Sequence, residues 1–547
     1  MTSSELAEHD ADFVIVGSGF GGAVSALRLA EKGYRVLVLE AGRRFATGEF
    51  PRTNWLLHKF LWLPKLGFYG IQRITLLENV LVLSGAGVGG GSLVYANTLL
   101  EPPATFYRDQ RWAGLAAWQE ELAPHYATAK RMLGATQSRF LGTGDEKLRE
   151  VAEELGVGET FHQPQVAVYF GKPNVRVSDP YFGGEGPERV GCTFCGGCMV
   201  GCNVGAKNTL DKNYLYLAEK LGVEVRPLTT VTGVRPHPQG GYEVLTRRTG
   251  PFGRPGPTLR AARVVLAGGV LGTVPLLLSC KQRGLLPELS ERLGDYVRTN
   301  SEALVGSLSR RADADNSRGI AITSGFYPEP HTHVELVRYG AGQDAMGRLN
   351  ALMVDGDGGR LRRLGRYLTQ MLLHPLDFLR TQVPWGWAKR TMILLVMQSV
   401  DNHLRVSLGR SWWWPFGQRL RSKPAEGQLS PPTYIPVANL IARKVAEKSD
   451  GIAVGAINEA LLDVPTTAHI LGGCSMGASA VSGVIGADHQ VFGYPGLYVC
   501  DGSAISANLG VNPSLTIAAM SELAMSRIPA KQPAVVATAA DADAARP

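Results

Sequence analysis

Residues 12–22 read Asp-Phe-Val-Ile-Val-Gly-Ser-Gly-Phe-Gly-Gly, an apolar run that ends in a glycine-rich turn. Residues 23–30 read Ala-Val-Ser-Ala-Leu-Arg-Leu-Ala, which is typical of a helix, and residues 35–40 read Arg-Val-Leu-Val-Leu-Glu, which is typical of a strand. This order of strand, turn, helix and strand predicts a βαβ unit that opens a parallel sheet. The chain is therefore expected to have an α/β core.

The spacing of the glycines in this turn fits a dinucleotide-binding fingerprint. Gly17 allows a tight turn, and Gly19 lets the backbone approach a pyrophosphate. A third glycine lets the helix pack closely, and the first amide groups of that helix then hold the phosphates. Glu40 ends the second strand, where an acidic residue accepts the ribose hydroxyls and repels the extra phosphate of NADP. The predicted cofactor-binding residues of this unit are Gly17, Ser18, Gly19, Phe20, Gly21, Gly22, Glu40 and Ala41.

A second glycine-rich run follows at residues 84–92, with the sequence Ser-Gly-Ala-Gly-Val-Gly-Gly-Gly-Ser. Each glycine costs up to about 1 kcal/mol in a helix interior, so the run is not expected to be helical. Two interpretations remain open, a close approach to something flat or anionic and a flexible loop. On the first interpretation, Gly85, Gly89, Gly90 and Ser92 join the cofactor site.

The bulk composition excludes several classes of protein. Of 547 residues 66 are glycine, a share well above the roughly 7% average. The net charge of +8 is small, and no basic run with interleaved aromatics points to nucleic-acid binding. The first ten residues are polar and carry no basic and then apolar export signal, so we expect a cytoplasmic protein. No apolar stretch approaches about 18 residues, so a spanning helix is not expected.

Segments that resemble parts of a cofactor domain recur at the beginning, middle and end of the chain. Strand-like runs return near residues 223–234, 243–248 and 260–267, and again at 497–525 with an apolar helix. We therefore predict a discontinuous Rossmann-like cofactor domain with an interleaved substrate-binding domain. The expected pieces are 10–100, 191–300 and 461–530 for the cofactor domain, 101–190 and 301–460 for the substrate domain, and a disordered tail at 531–547.

Two polar residues near the end of the chain are candidates for the chemistry. His469 lies in Ala-His-Ile-Leu-Gly-Gly-Cys, and Asn512 lies in Gly-Val-Asn-Pro. A histidine with a pKa near neutrality can accept a hydroxyl proton, and an asparagine both donates and accepts hydrogen bonds. Taken singly, each also suits a structural role, as a histidine bonded to a carbonyl or a turn residue before proline. Their occurrence with the glycine motifs favours a catalytic pair.

Together these motifs resemble the glucose-methanol-choline (GMC) oxidoreductase family, and within it the cholesterol oxidases that hold FAD without a covalent bond. The resemblance implies non-covalent FAD and oxidation of an alcohol by hydride transfer to the flavin. It implies that His469 is the catalytic histidine and Asn512 its partner. It further implies cofactor contacts at Asn97, Val231, Gly268, Asp501, Gly502, Asn512 and Pro513. The matching segments are Asp12–Gly42, Gly85–Asn97, Gly205–Leu215, Val264–Leu278, His469–Gly477 and Leu497–Ala519.

The chain also departs from the sterol-oxidizing members of that family. It carries Tyr95 where they have asparagine, and Ser514 where they have phenylalanine. They use a glutamate of the substrate domain to isomerise the ketone product, whereas the comparable stretch here reads Lys389-Arg390-Thr391-Met392. The sequence therefore predicts no isomerase glutamate, and it favours a sterol-like substrate without deciding it.

Four cysteines lie within eleven residues, as Cys192, Cys195, Cys198 and Cys202. Their spacing matches the bacterial ferredoxin run, except that Asn203 stands where that run has proline. Three interpretations stay open: an iron–sulfur cluster or zinc site, a glycine-bent loop with free thiols, and a redox-active dithiol. A cluster beside the flavin would offer electrons a redox partner other than oxygen.

Two further patterns have competing explanations. His331, His333 and Glu335 alternate along a strand-like stretch and would share a face, as a metal triad or as polar lining of the substrate cavity. Leucine and methionine at 361, 364, 368 and 371 follow helical spacing beside several arginines, with Trp385, Trp387 and the run 412–414 of tryptophans nearby. This stretch could rest on an anionic membrane or could be a core-facing helix with a solvated arginine edge.

The leading hypothesis is an FAD-dependent enzyme that oxidises the CH–OH group of a bulky hydrophobic alcohol, with a sterol first. One alternative is a dehydrogenase for long-chain or terpenoid alcohols that passes electrons to an acceptor other than oxygen. Another is a flavin-dependent fatty-acid lyase, because one fold can host several chemistries.

Overall fold

A computed structural model describes residues 9–356, 358–411 and 414–532 of the chain. Trp412 and Trp413 lie outside the described residues, as does the predicted tail from residue 533 onward. No helix in the described part of the chain is long and apolar enough to cross a membrane.

The predicted βαβ unit is present and forms the centre of a mixed sheet. Ala11–Val16 pairs in parallel with Val36–Leu39, and the helix Phe20–Glu31 connects them. Both strands are almost wholly buried, which explains why they read as unbroken apolar runs. In spatial order the sheet contains Glu224–Arg226, Val36–Leu39, Ala11–Val16, Pro255–Leu266, Tyr242–Arg248 and Thr229–Pro236, with Leu497–Val499 paired in parallel to the end of Pro255–Leu266. The predicted α/β fold class is confirmed.

Strands from three distant parts of the sequence thus share the mixed sheet. The helix Ser514–Ser526 packs against Phe20–Glu31, and nearly all of its residues are buried. The helix Val270–Gln282 begins directly after the strand Pro255–Leu266, as an α/β unit requires. These connections place the glycine turn, the Gly268-Gly269 pair and the segment at Asp501 at the carboxyl ends of neighbouring parallel strands, where ligands bind in such sheets.

A second, antiparallel sheet is built from residues 303–456. Its spatial order is Ile322–Glu329, Thr332–Val337, Thr391–Gln398, Ala303–Ser309, Gly451–Ala456 and Asn350–Leu352. The helix Pro436–Lys448 packs on Ala303–Ser309 and Gly451–Ala456 and buries its apolar face there. A small sheet of Gln72–Leu76, Leu81–Gly85 and Thr466–Thr467 lies between the glycine-rich run and the segment that leads to His469.

The remaining elements are short or peripheral. The other helices are Leu57–Phe60, Ala104–Tyr107, Trp118–Met132, Thr143–Glu154, Tyr214–Lys220, Gly359–Leu373, Pro375–Gln382, Trp387–Arg390 and Ile457–Leu462. Paired strands are Trp62–Leu63 with Phe68–Tyr69, Thr136–Gln137 with Gln165–Val166, Arg176–Val177 with Arg189–Val190, and Leu404–Ser411 with Trp414–Pro424.

Candidate active site

One large cavity, about 1330 Å³ in volume, runs between the mixed sheet and the antiparallel sheet. The glycine turn and Glu40 line one part of it, and His469 and Asn512 line another. The cavity therefore joins the predicted cofactor motif to the predicted catalytic pair, although more than 400 residues of sequence separate them.

The two glycine-rich segments meet in the wall of this cavity. A Cβ atom on Gly90 would lie 2.6 Å from the Cα atom of Gly19, and Gly90 has a left-handed φ of 52°. A Cβ atom on Gly21 would lie 1.6 Å from the carbonyl oxygen of Cys500. The second run is thus a close backbone approach, and glycine is needed here because no side chain fits.

Two buried carboxylates fix the backbone of two glycine segments, Glu40 at the glycine turn and Asp501 at the Gly268-Gly269 pair. Glu40 accepts hydrogen bonds from the Ser18 amide at 3.0 Å, the Ser18 hydroxyl at 2.6 Å and the Gly42 amide at 2.7 Å. Asp501 accepts hydrogen bonds from the Gly269 amide at 2.8 Å and the Thr273 hydroxyl at 2.6 Å. Burial raises the pKa of both carboxyl groups, and these hydrogen bonds counteract it. Both residues line the cavity.

Most of the predicted cofactor residues lie in the cavity wall, and four lie behind it. Gly22 packs against Gly17, Ser92 donates to the Gly89 carbonyl at 2.7 Å, and Asn97 lies beside the Cys198 thiol. The lining residues are Gly17, Ser18, Gly19, Phe20, Gly21, Glu40, Ala41, Gly85, Gly90, Val231, Gly268, Asp501, Gly502, Asn512 and Pro513; those behind it are Gly22, Gly89, Ser92 and Asn97.

His469 is held by a carboxylate that the sequence analysis did not identify. Its Nδ1 atom forms a short hydrogen bond with Oε1 of Glu302, and Oε2 of Glu302 accepts from the Ala468 amide at 2.7 Å. Burial lowers the pKa of His469, but the charge and hydrogen bond of Glu302 outweigh this effect, helped by the charge of Glu335, so the pKa is raised. Because Nδ1 is engaged by Glu302, Nε2 is the ring nitrogen that remains for the cavity.

Asn512 also contacts a buried carboxyl group. Its Nδ2 atom donates to Oε2 of Glu335 at 3.1 Å, and Glu335 lies on the strand Thr332–Val337 with no exposed surface. Burial raises the pKa of Glu335 to about 7. Among the described residues, Oε1 of Glu335 and Oδ1 of Asn512 have no hydrogen-bond partner. Glu335 stands behind Asn512, since Asn512 lines the cavity and Glu335 does not.

A left-handed turn connects the two segments that carry the predicted catalytic pair. Asn300 and Ser301, directly before Glu302, have φ angles of 57° and 51°, which non-glycine residues seldom adopt. The Asn300 side chain donates to the Val511 carbonyl at 3.0 Å and accepts from the Gly510 amide at 2.8 Å. The turn that carries Glu302 is thereby tied to the segment that carries Asn512.

Comparisons with known proteins agree with this geometry. A model of FAD dependent oxidoreductases matches residues 12–324, and a model of GMC oxidoreductases matches residues 426–521. A cholesterol oxidase of Mycobacterium tuberculosis is 50% identical over 95% of this chain and 92% of its own length. The chain belongs to the GMC oxidoreductase family. A cholesterol oxidase of Acinetobacter baumannii is 45% identical over 96% of this chain and 95% of its own. The structure of pyridoxine 4-oxidase from Mesorbium loti shares the fold, with a TM-score of 0.59, 16% identity, and coverage of 95% of this chain and 99% of that one.

This GMC oxidoreductase depends on FAD, and its residues fit that cofactor. The glycine turn and Gly90 leave backbone without side chains at the start of the helix Phe20–Glu31, where a pyrophosphate binds. The same cavity extends from there to His469 and Asn512. Residues of both glycine-rich segments would therefore hold the dinucleotide, and the catalytic pair would face its reactive end.

The structure gives no support for an iron–sulfur cluster or zinc site at Cys192, Cys195, Cys198 and Cys202. No group of three or more histidine, cysteine or acidic residues within the described ranges is arranged to hold a metal ion. Cys195 is exposed, whereas Cys192 and Cys198 are buried. Burial raises the pKa of Cys192 to about 12 and that of Cys198 to about 11.

The cysteine loop instead behaves as the glycine-bent loop with free thiols. Gly196 and Gly201 adopt left-handed φ angles of 70° and 87°. The buried ammonium group of Lys207 donates to the carbonyls of Cys198 at 2.8 Å, Tyr95 at 2.9 Å and Leu93 at 3.1 Å. The loop is thus pinned to the second glycine-rich run, which gives it a structural task beside the cofactor site.

The residues His331, His333 and Glu335 do not form the conceivable metal triad. His331 is exposed, and the ring of His333 is buried between Tyr327, at a centroid distance of 4.4 Å, and His162, at 5.2 Å. Burial lowers the pKa of His333, so its ring is neutral. None of the three lines the cavity, so the cavity-lining interpretation also differs from the structure.

Proposed function

We propose that this chain oxidises the hydroxyl-bearing carbon of a sterol-like alcohol to a ketone and that oxygen reoxidises the flavin. The observation that carries the proposal is the Glu302–His469 pair beside Asn512 in a cavity shared with the dinucleotide-binding glycines. The cholesterol oxidases that are 50% and 45% identical to the chain support the substrate class and the acceptor.

The catalytic roles follow from the hydrogen-bonding capacity of each group. Bound FAD would accept the hydride from the carbinol carbon. Nε2 of His469 takes the proton of the substrate hydroxyl, because Nδ1 is engaged by Glu302. Asn512 has a second amide N–H that can donate to the substrate oxygen, since the first donates to Glu335. The two side chains would thereby hold the oxygen while its proton leaves.

The rest of the cavity suits a rigid apolar body. Large apolar side chains from both sheets and from residues 62–66 line it. Such a wall gains roughly 25 cal/mol for each Å² of apolar surface that it covers, so it favours a bulky hydrocarbon over a small alcohol. The main apolar lining residues are Trp62, Leu63, Leu66, Met346, Leu349, Trp387, Ile393 and Leu395.

Anaerobic reduction of the bound flavin tests the proposed function. A 3-hydroxy sterol should bleach the visible absorbance of the flavin faster than a long-chain alcohol or a terpenoid alcohol does, and admission of oxygen should restore it. Bleaching by the linear or terpenoid alcohols alone would favour the dehydrogenase alternative. Bleaching by no alcohol, together with cleavage of a fatty acid, would favour the lyase.

A second activity is proposed because of Glu335. This buried carboxyl group has a pKa of about 7 and contacts Asn512, so it exchanges a proton readily near neutral pH. Such a group can remove a proton from the carbon between a ketone and a double bond and return it at the far end of that double bond. We therefore propose that Glu335, which lies directly behind Asn512 in the cavity wall, reaches the substrate once the Asn512 side chain turns aside and isomerises the initial ketone to a conjugated ketone. Glu335 could not be recognised from the comparable stretch of sequence at Lys389, which is exposed.

Replacing Glu335 by glutamine should separate oxidation from isomerisation. The amide cannot carry the proton, so we expect formation of the conjugated ketone to fall about 10²-fold or more. Flavin reduction should fall less than about tenfold, since the Asn512 contact can persist. In the parent enzyme, isomerisation should rise with pH through about 7, because the carboxylate is the active form. Absorbance of the conjugated ketone and flavin bleaching measure the two steps. Equal losses in both would mean that Glu335 only positions Asn512.

We further propose that the helices Gly359–Leu373 and Pro375–Gln382 rest on an anionic membrane. Leu361, Leu368 and Leu372 follow one stripe and are 85%, 50% and 82% exposed, and Leu376 is 68% exposed. The opposite face is covered, since Tyr367 is buried. Residues 358–390 contain seven lysine or arginine residues, of which Arg363 is buried, and one acidic residue, Asp377, which pairs with arginines. An apolar stripe with basic flanks is complementary to anionic lipid.

Vesicle binding tests this surface. Substitution of Leu368, Leu372 and Leu376 by serine should weaken sedimentation with phosphatidylcholine–phosphatidylserine vesicles at least tenfold. High salt should weaken the parent protein as well, since the basic flanks are screened. Flavin reduction by a sterol dissolved in detergent should stay within about twofold. Val481, which is 79% exposed outside this surface, offers the matched control, V481S. Unchanged vesicle binding by the triple variant would contradict the proposal.

A further inference from the structure

Glu302 occupies a position that the proposed function uses but does not explain. We infer that Glu302 is a positioning residue that fixes the tautomer and the orientation of His469 and offsets the positive charge that His469 acquires. This inference rests on the proposed function, because it assigns His469 the task of accepting the hydroxyl proton. It adds a residue from a different segment of the chain, 167 positions before the histidine.

The contacts of Glu302 suit this task. Its side chain has no exposed surface, and each of its oxygens has a partner from the segment of His469. One oxygen bonds Nδ1 of the ring, and the other accepts from the Ala468 backbone amide at 2.7 Å. The His469 amide itself donates to the Thr467 hydroxyl at 2.9 Å. Glu302 therefore holds both the ring and the backbone segment of His469. A buried carboxylate without such hydrogen-bond partners would be costly in free energy.

The backbone before Glu302 is an independent indication. Consecutive left-handed residues, here Asn300 and Ser301, each cost on the order of 1–3 kcal/mol and persist where surrounding bonds hold them. The Asn508 side chain accepts from the Asn300 amide at 3.0 Å, and Asn402 donates to the Ser301 hydroxyl at 3.0 Å. Strain maintained at this cost beside the cavity is expected where the placement of one side chain matters.

The chemical consequence concerns where the proton goes. With its Nδ1–H donated to the Glu302 carboxylate, the neutral ring of His469 presents the lone pair of Nε2. When the substrate O–H bond breaks, an Nε2–H bond forms, and the carbinol hydrogen would leave with its electron pair as hydride to the bound FAD. The ring then carries a positive charge beside a carboxylate, which stabilises it. Glu335 is the other carboxyl group that influences the charge of His469, and its hydrogen bond goes to Asn512 instead.

Replacement of Glu302 by glutamine and by aspartate tests the inference. We expect E302Q to lower the limiting rate of anaerobic flavin reduction about 10²–10⁴-fold with little change in half-saturation, because the lost interaction strengthens only as the proton moves. E302D keeps the charge and should recover part of the rate. The matched control is E459Q, because Glu459 is another buried carboxyl group, has a pKa of about 8 and contacts backbone amides instead of His469. Its rate should stay within about threefold.

Two readouts separate positioning from mere structural support. Without the carboxylate, burial dominates and the pKa of His469 falls, so the rise of the reduction rate with pH should move to lower pH. Carbon-13 NMR of labelled histidines, with His469 identified by its loss in H469A, should show the same downward shift and a change of tautomer, without any substrate. FAD content and melting temperature report whether each variant is folded.

The outcomes also separate this inference from the proposed function. A folded E302Q enzyme with a parental rate and pH profile would overturn the role of Glu302, even if H469A is slow. A parental rate in H469A would overturn the proposed function itself. If the role of Glu302 and the proposed function are both correct, the double variant of E302Q and H469A should be no slower than H469A alone, since the two residues act as one unit.

Discussion

Substitution of His469 by alanine should slow reduction of the bound flavin by a sterol about 10²–10⁴-fold, because the hydroxyl proton loses its acceptor. His469 lines the cavity but is not one of the glycines that would hold the dinucleotide, so FAD should remain bound. Stopped-flow absorbance under anaerobic conditions measures the rate, and the visible flavin spectrum measures the cofactor content. H469Q, which retains polarity without basicity, should be nearly as slow.

An exposed histidine supplies the control for this experiment. His331 lies outside the cavity, and its side chain is 53% exposed. H331A should therefore keep the rate within about twofold. Retention of the parental rate in H469A, with FAD bound, would remove His469 from the proton transfer.

Substitution of Gly21 by alanine should abolish stable FAD binding. The added Cβ atom would overlap the Cys500 carbonyl oxygen at 1.6 Å, and backbone cannot yield as a flexible side chain would. The start of the helix Phe20–Glu31 would have to move away from the strand Leu497–Val499, which would displace the amides that are predicted to hold the pyrophosphate. We expect the free energy of unfolding to fall by about 3 kcal/mol or more. Flavin content after gel filtration and the melting temperature check this.

The control for Gly21 is a helical glycine in open space. A Cβ atom on Gly365 meets no atom within 4 Å, and this residue is exposed in the helix Gly359–Leu373. G365A should therefore keep FAD and gain up to about 1 kcal/mol of stability from the better helix former. A G21A protein that binds FAD as the parent does would show that the close approach is not required.

The residues predicted to hold the cofactor could be recognised because they lie close together in the sequence. Gly17, Gly19 and Glu40 lie within one βαβ unit, where spacing alone indicates strand, turn and helix. The four cysteines form an equally local pattern, but no metal-holding group is found among the described residues. Whether such ligands converge depends on the folded loop, in which Cys195 is exposed while Cys192 and Cys198 are buried.

The carboxylates behind the catalytic pair were not predictable from one sequence. Glu302 and Glu335 lie 167 and 177 residues before their partners, and no local spacing relates them. The helix Gly359–Leu373 shows a related limit. Its leucine spacing predicted a helix, yet Leu361 and Leu368 are exposed while Arg363 is buried against Asp463 at 2.7 Å. Periodicity identifies a stripe, and the neighbouring elements decide which stripe is covered.

The left-handed turn at Asn300 has a consequence for how a large substrate enters. The turn leads through Glu302 into the strand Ala303–Ser309 of the antiparallel sheet, and its Asn300 side chain is bonded to the segment before Asn512. It therefore holds these two segments together beside the predicted catalytic pair. Because the turn holds these two segments together, a bulky substrate cannot enter by separating them at that point. Entry would then use another part of the wall, such as the part where Leu63 and Leu66 line the cavity and remain 41% and 70% exposed.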